Sequence, residues 1–332
     1  MSKRNTKKST KKKLDETFME KLNTMIDDKN IDTNYEPVYK ILKKDNNIIT
    51  HIIHMADIHI RLSSRHDEYL LVFEELYRML REHKAVYPNS LICICGDILH
   101  SKDELKPNAI IFTWNFIKTL SEIFPVIIII GNHDTIETNE NKIDSITSIL
   151  RDRDTENIYY LSDSGCYEYN NVAFGVSSIK DKYIMHVDRM VDGDMIRVGL
   201  YHGMLDGVVI NEYGSKLRGS KKLSDFGAYD YLMLGDVHHF QYLNREKTAA
   251  YSSSLIAQNF SETDDNHGYL EWDILGGVST FRKVANDYGF YKIDYDDMAI
   301  DELGYVKKGY LRIDFHEKHS LTLKKDEIRK QI

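Results

Sequence analysis

The stretch PVIIIIGNHD, residues 125–134, carries five consecutive β-branched residues, Val126 to Ile130, and then breaks at Gly131 into Asn132, His133 and Asp134. A strand that is apolar on both faces is one covered on both faces, as in a parallel sheet buried between layers. The same pattern stands twice upstream, in HIIHMAD at 51–57 and SLICICGD at 90–97. Between the first two, DEYLLVFEELYRMLREH at 67–83 places Leu70, Leu71, Phe73, Leu76, Tyr77 and Leu80 near helical spacing. Pro107 opens a second helix, NAIIFTWNFIKTLSEIF, because proline does well at a first helical position. Strands joined through helices predict parallel pairing and a layered α/β core.

The second half changes character. NIYYLS, CYEYN, NVAFGVSS, IRVGLYHG, YDYLMLGD and TAAYSSS read as short strands with turns between them, interrupted at length only by Ile210 to Phe226. Two sheets packed face to face and flanked by helices accommodate both halves. After about Asp273 the composition drifts toward Tyr, Asp and Lys, with a strand-like GYLRIDFH near the end. The expected organisation is a disordered basic arm at 1–13, a helical extension at 14–50 with an amphipathic helix from about Leu14 to Met25, a main domain at 51–275 and a small C-terminal domain at 276–332.

Composition limits what these elements can serve. The 332 residues, 42% hydrophobic and 29% charged, suit one large core plus a smaller appendage of an ordinary globular protein. The longest apolar run, Phe124 to Ile130, is far short of the roughly 20 residues of a spanning helix, so no membrane partner is expected. No apolar segment follows the basic residues at the start, so no secretory signal is read there. Cys93, Cys95 and Cys166 form no even disulfide framework; the first two alternate within LICIC on one strand face, as small buried side chains do. A reducing intracellular compartment, cytoplasm or nucleus, is the expected location. Residues 1–13 hold seven Lys or Arg and no acid, which leaves 37 basic against 52 acidic residues, a net −15, on the rest of the chain. The arm reads either as a solvated tail or as a nucleic-acid or nuclear-targeting segment. An acidic body that binds phosphates needs local cations, and bound metal ions would supply them.

The polar residues of interest all stand at the C-terminal ends of predicted strands: Asp57 and His59, Asp97, Asn132 and His133, His202, and Asp236 with His238. Ligands bind in the crevice beyond strand carboxyl ends in open α/β sheets. Singly, each has a plain explanation: an Asp can cap a turn, a Gly can end a strand, and His202 can be a core histidine bonded to a carbonyl. Jointly, the eight residues at strand ends ask for a shared purpose, and seven of them, all but His133, are of ligand type. His54, inside the first strand, is read as structural, and His239 as facing away. Carboxylates, imidazoles and a carboxamide without thiolate suit manganese, iron or zinc, and seven ligands suit two ions sharing a bridging carboxylate about 3.5–4 Å apart. Phosphoester hydrolysis is the reaction class that such a pair serves.

The order DIH, GDILH, GNHD, HG, GDVH resembles the calcineurin-like metallophosphoesterase superfamily, and more closely the SbcD family of DNA double-strand-break repair nucleases with their eukaryotic and viral relatives. The closer likeness rests on HMADIHIRL, on GDILHSKDELKP with His100 three residues past Asp97, and on YSSSLIAQNFSE followed by HGYLEWDI; it covers about residues 51–275. The resemblance implies a four-layer α-β-β-α sandwich of two mixed sheets with a small C-terminal α+β cap or part of one. It implies one ion on Asp57, His59, Asp97 and His238, and a second on Asp97, Asn132, His202 and Asp236, with Asp97 as the bridge. The ions would be two divalent metals, manganese first, with magnesium, iron or zinc as alternatives. By the same resemblance, His133 stands by the scissile phosphate, steadying its charge or protonating the leaving oxygen; His100 is a second non-ligand histidine near the site; and Asp134 orients His133. The implied partners are DNA, a second copy of the chain, and an SMC-like repair ATPase of the SbcC type.

Two departures accompany the likeness. Most such nucleases have GHxH where this chain has Gly235, Asp236, Val237 and His238, and a carboxylate there shifts preference toward harder manganese or magnesium. Fewer than 60 residues follow Asp273, so the cap is expected to be short or incomplete and the ATPase-docking element absent. The expected function is a metal-dependent DNA nuclease, exonuclease on duplex ends and endonuclease on single strands or hairpins. The alternatives are a general phosphoesterase acting on nucleotides or phosphoproteins, which substrate choice separates, and a non-catalytic scaffold for DNA ends or an ATPase, against which the complete ligand set speaks.

Overall fold

A computed structural model of the chain describes residues 37–62, 65–101, 105–135, 143–181, 183–187, 190–191, 193–210, 214–227, 229–262, 267–294 and 308–314. The basic arm and the helix expected at 14–25 lie outside the described residues. In chain order come β1 (Val38–Lys43), β2 (His51–Met55), α1 (His66–Val86), β3 (Ser90–Cys95), α2 (Pro107–Ile123), β4 (Val126–Ile129), α3 (Ser145–Leu150) and β5 (Ile158–Leu161). There follow β6 (Gly165–Tyr169), β7 (Val172–Ser177), β8 (Ile196–His202), β9 (Tyr231–Gly235), β10 (Gln241–Tyr242), β11 (Ala249–Tyr251), β12 (Gly268–Asp273), β13 (Val278–Lys283), β14 (Tyr288–Asp294) and β15 (Lys308–Asp314).

The strands form two mixed sheets. One has the order β13-β12-β2-β3-β4-β5, its β2 to β5 parallel and the β12–β13 hairpin antiparallel; the other has the order β1-β6-β7-β8-β9-β11-β10, with β7, β8, β9 and β11 parallel. Alternation sorts their side chains. Ile52, Leu91, Cys93, Cys95, Ile127 and Ile129 of the first sheet meet Tyr167, Phe174, Val176, Val198, Leu200 and Met233 of the second in a core between the sheets. Ile53, Met55, Ile92, Ile94, Val126 and Ile128 point the other way, onto α1, α2 and α3. That is the expected α/β sandwich of two mixed sheets with helices. On the outer face of the seven-stranded sheet, the covering among the described residues is loop and a 3-10 turn, Leu223–Phe226, whose Phe226 packs with Leu205, Val208, Leu232 and Leu234.

The helices follow their sequence signals. Pro107 stands in the first turn of α2, and the Asp144 side chain accepts the Thr147 N–H at 2.7 Å to start α3. Asp67 and Glu68 in the first turn of α1, and His83 and Lys84 in its last, complement the helix dipole. The face of α1 differs from the expected one: Tyr69, Val72, Phe73, Leu76 and Leu80 are buried, whereas Leu70 and Leu71 are 42% and 43% exposed. A run of apolar residues at 69–73 wraps beyond a 100° stripe, and docking on the sheet decides which of them faces in. A second difference is β1, which pairs in parallel with β6 where the sequence suggested only a helical extension. Its VYKILK lacks clean alternation, so the strand is conferred by its partner. β13, although past residue 275, belongs to the six-stranded sheet, while β14 and β15 form a separate parallel ribbon. No helix among the described residues is long and apolar enough to cross a membrane.

Phe174, fully buried between the sheets, and Leu71 on the outer face of α1 separate these assignments energetically. Phe174→Ala should lower unfolding free energy by about 3–5 kcal/mol and Leu71→Ala by about 0.5 kcal/mol or less, measured by urea titration.

Candidate metal centre

The parallel strands of both sheets deliver their C-terminal ends to one edge of the sandwich. β2 leads into Asp57 and His59, β3 into Asp97, β4 into Asn132 and His133; β8 ends on His202, and β9 leads into Asp236 and His238. The chain turns there under strain, with φ of +55° at Asp57, +49° at His59, +56° at Asp97 and +90° at Asp236. Left-handed backbone at a residue with a Cβ costs about 1–3 kcal/mol and tends to mark functional sites. The glycines show why these loops can approach so closely. A Cβ on Gly131 would lie 2.1 Å from the Asp97 amide nitrogen, one on Gly235 would lie 2.0 Å from the Cys95 carbonyl oxygen, and one on Gly96 would lie 2.4 Å from His202 Nδ1.

The donor atoms gather in overlapping groups: the two that hold carboxylates share Asp57 and are spanned by Asp97, and a third, His59, His100 and His133, shares His59 with the first. Asp57, His59 and His238 bring their ligand atoms within 4.8 Å of one another, and so do Asp57, Asp97 and His202. Asp97 Oδ2 lies 3.5 Å from His59 Nε2 and Asp97 Oδ1 lies 3.4 Å from His202 Nε2, so its two oxygens face opposite groups. Asn132 Oδ1 is 3.4 Å and Asp236 Oδ1 3.9 Å from the same His202 nitrogen. The Asp236 backbone N–H donates to both Asp57 carboxylate oxygens at 3.1 Å. All seven residues named from the sequence therefore lie around one centre.

Hydrogen bonding fixes what these rings present. His202 Nδ1 lies 2.7 Å from the Cys95 carbonyl oxygen and can only donate to it, which turns Nε2 toward the three oxygens of Asp97, Asn132 and Asp236. In a neutral ring that Nε2 is a lone pair facing lone pairs, a contact that only a proton or a cation relieves. His238 repeats the pattern: Nδ1 donates to Glu262 Oε1 at 2.9 Å, and Nε2 stands 3.1 Å from His59 Nε2. Without a cation, one of these nitrogens must carry a proton for the other to accept; with both unprotonated, two nitrogens that close suit one coordination shell with bonds of about 2.1 Å. The residues present thus fit divalent cations.

The electrostatics agree. Burial pushes the Asp57 carboxyl up to about 7 against the pull of His238 and His202. Burial would also raise Asp97, but His202 and His59 more than offset it and hold the carboxyl well below the usual range. Burial opposes charge on His202, yet Asp97, Asp57 and Asp236 raise it to about 10; burial likewise opposes charge on His238, which Glu262 and Asp57 raise to about 9. Burial and the neighbouring His238 press His59 well below its usual value.

Around this centre, His133 is anchored twice: its backbone N–H donates to Asp97 Oδ1 at 2.7 Å, and its Nδ1 donates to the His100 carbonyl at 2.8 Å. The His100 ring stacks on it with centroids 5.5 Å apart, and Arg61 Nη1 lies 3.4 Å from His100 Nε2. Asp134 has a different task from the one expected. Its carboxylate accepts the backbone N–H groups of Asp97, Leu99 and Gly131 at 2.9–3.1 Å, so it clamps the β3 and β4 loops together, while the His133 ring is held by the His100 carbonyl. The reason is geometric, since a buried carboxylate at the start of a tight turn is taken first by the nearest backbone donors. Sequence reasoning missed Glu262 and Arg61. Both lie inside stretches that carry the family likeness, but a lone Glu or Arg in a loop has no spacing to mark it.

Residues 50–240 match the family model described as calcineurin-like phosphoesterase. Over 326 residues the chain is 36% identical to an uncharacterized protein of Acanthamoeba polyphaga mimivirus, an alignment that takes in 94% of this chain and 24% of that protein. The chain spans about a quarter of the length of the relative it matches.

The proton-holding groups give a pH signature. A group whose folded value exceeds its unfolded one stabilises the fold fully below the unfolded value and loses that contribution as pH rises through the folded value. For Asp57 the window runs from 3.8 to about 7, for His238 from 6.5 to about 9 and for His202 from 6.5 to about 10. The metal-free chain should therefore lose thermal stability from neutral pH upward. Added manganese, which replaces those protons, should raise Tm more at pH 8.5 than at pH 6 in a thermal-shift series; an equal or larger rise at pH 6 would contradict the assignment.

Proposed function

The chain belongs to the calcineurin-like phosphoesterase family, and on that premise we propose that it is a metal-dependent DNA nuclease of the SbcD repair type. The family itself implies a hydrolase that binds two divalent metals. In this reading Asp57, His59, Asp97 and His238 hold one ion, Asp97, Asn132, His202 and Asp236 the other, and manganese is the metal. Bound there, the pair would supply charge for the scissile phosphate and activate water for in-line attack.

The observation that carries the reading is the place of Asp97 between His59 and His202, in imidazole–carboxylate groups that share Asp57, with His133 beside them. The chain's own residues then have definite tasks. With Nδ1–H committed to the His100 carbonyl, His133 exchanges protons only at Nε2, the atom free to meet a phosphate oxygen or the leaving oxygen. Asp134 keeps the Asp97 and Gly131 loops at fixed separation, and the carbonyl of Cys95 keeps His202 Nε2 turned inward. A groove of about 680 Å³ lined by Arg61, Leu62, His100, Lys106 and Pro107 opens beside His100, which supports a substrate with both an anionic backbone and apolar bases. Together with the likeness of HMADIHIRL and GDILHSKDELKP to repair nucleases, this favours DNA over a small phosphoester. A second copy of the chain and an SMC-like ATPase complete the proposed assembly.

The test is degradation of end-labelled duplex and hairpin DNA with manganese, magnesium or chelator. The intact chain should degrade both with manganese, chelator should stop it, and Asp97→Ala should lose roughly 100-fold or more of the activity. Hydrolysis of a small phosphodiester with DNA left intact would overturn the nuclease reading. Asp236→Ala should lower activity strongly at limiting manganese and recover in part at excess metal; unchanged activity and metal content would reduce Asp236 to a turn residue.

A further inference from the structure

We infer that Glu262 is a positioning residue for His238 and that the C-terminal β14–β15 ribbon holds Glu262 in place through Arg65 and Glu68; the inference rests on the metal-dependent reading above. Glu262 lies beyond the matched family segment, on a loop after β11, and its side chain is 10% exposed. Its two oxygens collect four donors: His238 Nδ1 at 2.9 Å, the Gln258 backbone N–H at 2.8 Å, Asn259 Nδ2 at 2.6 Å and Ser254 Oγ at 3.3 Å. Oε2 thus closes the 258–262 turn through the Gln258 N–H, while Oε1, shared with Asn259 Nδ2, aims the His238 ring. A carboxylate on the far nitrogen of a metal-binding imidazole fixes its orientation and leaves the near nitrogen unprotonated.

The turn is itself held from outside the centre. Arg65 Nη2 donates to the Ala257 carbonyl at 2.6 Å and Nη1 to Gln258 Oε1 at 3.4 Å, while Nε and Nη2 pair with Glu68 at 2.7 and 3.0 Å. Arg65 and Glu68 are 3% and 1% exposed. Glu68 accepts from Asn286 Nδ2 at 2.9 Å and from Tyr310 OH at 3.0 Å, and the rings of Phe290 and Tyr310 lie 5.3 Å from the guanidinium. Phe260, inside the same turn, meets Phe290 edge to face at 4.9 Å. Asn286, Phe290 and Tyr310 come from the ribbon and the segment leading into it, so ribbon, ion pair, turn and His238 form one continuous hydrogen-bonded and packed series. A buried pair of this kind keeps its geometry only while all its partners are present.

The test uses the full chain. Manganese affinity is measured by titration calorimetry for Glu262→Ala and for the double variant Asn286→Ala with Tyr310→Phe, and the metal-free Glu262→Ala chain is crystallised. Glu262→Ala should weaken one of two manganese sites about 10- to 100-fold, with His238 leaving its place opposite His59. The double variant should weaken the same site about 3-fold or more. Wild-type affinity in Glu262→Ala with His238 unmoved overturns the positioning role, and wild-type affinity in the double variant overturns the ribbon's part in it. Should the parent chain bind no manganese, the metal-dependent reading fails, while the His238 position in the metal-free crystal still decides what Glu262 does.

Discussion

Three strand ends meet at Gly96, Gly131 and Gly235 with no room for a methyl group at any of them. That contact brings Asp97 against the β4 loop and His202 against β3, and the left-handed turns at Asp57, Asp97 and Asp236 aim carboxylates from both sheets into the same space. The strain is carried by a frame that leaves little alternative: parallel strands buried on both faces, with cores above and below.

Into that space the fold puts an arrangement unfavourable by ordinary rules. Asp57 and Asp97 are almost fully buried, His202 Nε2 faces three oxygens, and His59 and His238 point nitrogen at nitrogen. Without added positive charge the groups respond by holding protons, which is why Asp57, His202 and His238 are all displaced upward while Asp97, served by two imidazoles and a backbone N–H, is displaced down. Divalent cations resolve the same conflict without protons, so membership of a metal-using phosphoesterase family and the local electrostatics point the same way.

An outer ring of hydrogen bonds sets the orientation of the inner one. The Cys95 carbonyl orients His202, the His100 carbonyl orients His133, Glu262 orients His238, and Asp134 ties the β3 and β4 loops. His59 is the exception, since its Nδ1 is buried with no hydrogen-bond partner, a cost of about 1–3 kcal/mol that its place in the centre must offset.

Much of this was legible in one dimension. Apolar runs of strand length, helical spacing between them and polar residues at each run's end are local signals, so the layered α/β core, the strands β2 to β4 and the seven clustered side chains could be read directly. Alternation likewise put Cys93 and Cys95 on one strand face, which packing turns inward, and His54, read as structural, is a buried ring bonded to the Leu234 carbonyl. Other features depend on contacts between residues far apart in the chain. The inward face of α1 was chosen by docking, β1 exists because β6 offers an edge, and Asp134 serves backbone amides because they are nearest. Glu262 matters because a turn 24 residues past His238 folds back on it, held by a ribbon farther still. Periodicity reports which residues share a face; only the packed chain decides which distant groups meet, because that choice minimises unpaired polar atoms and empty volume over the whole molecule at once.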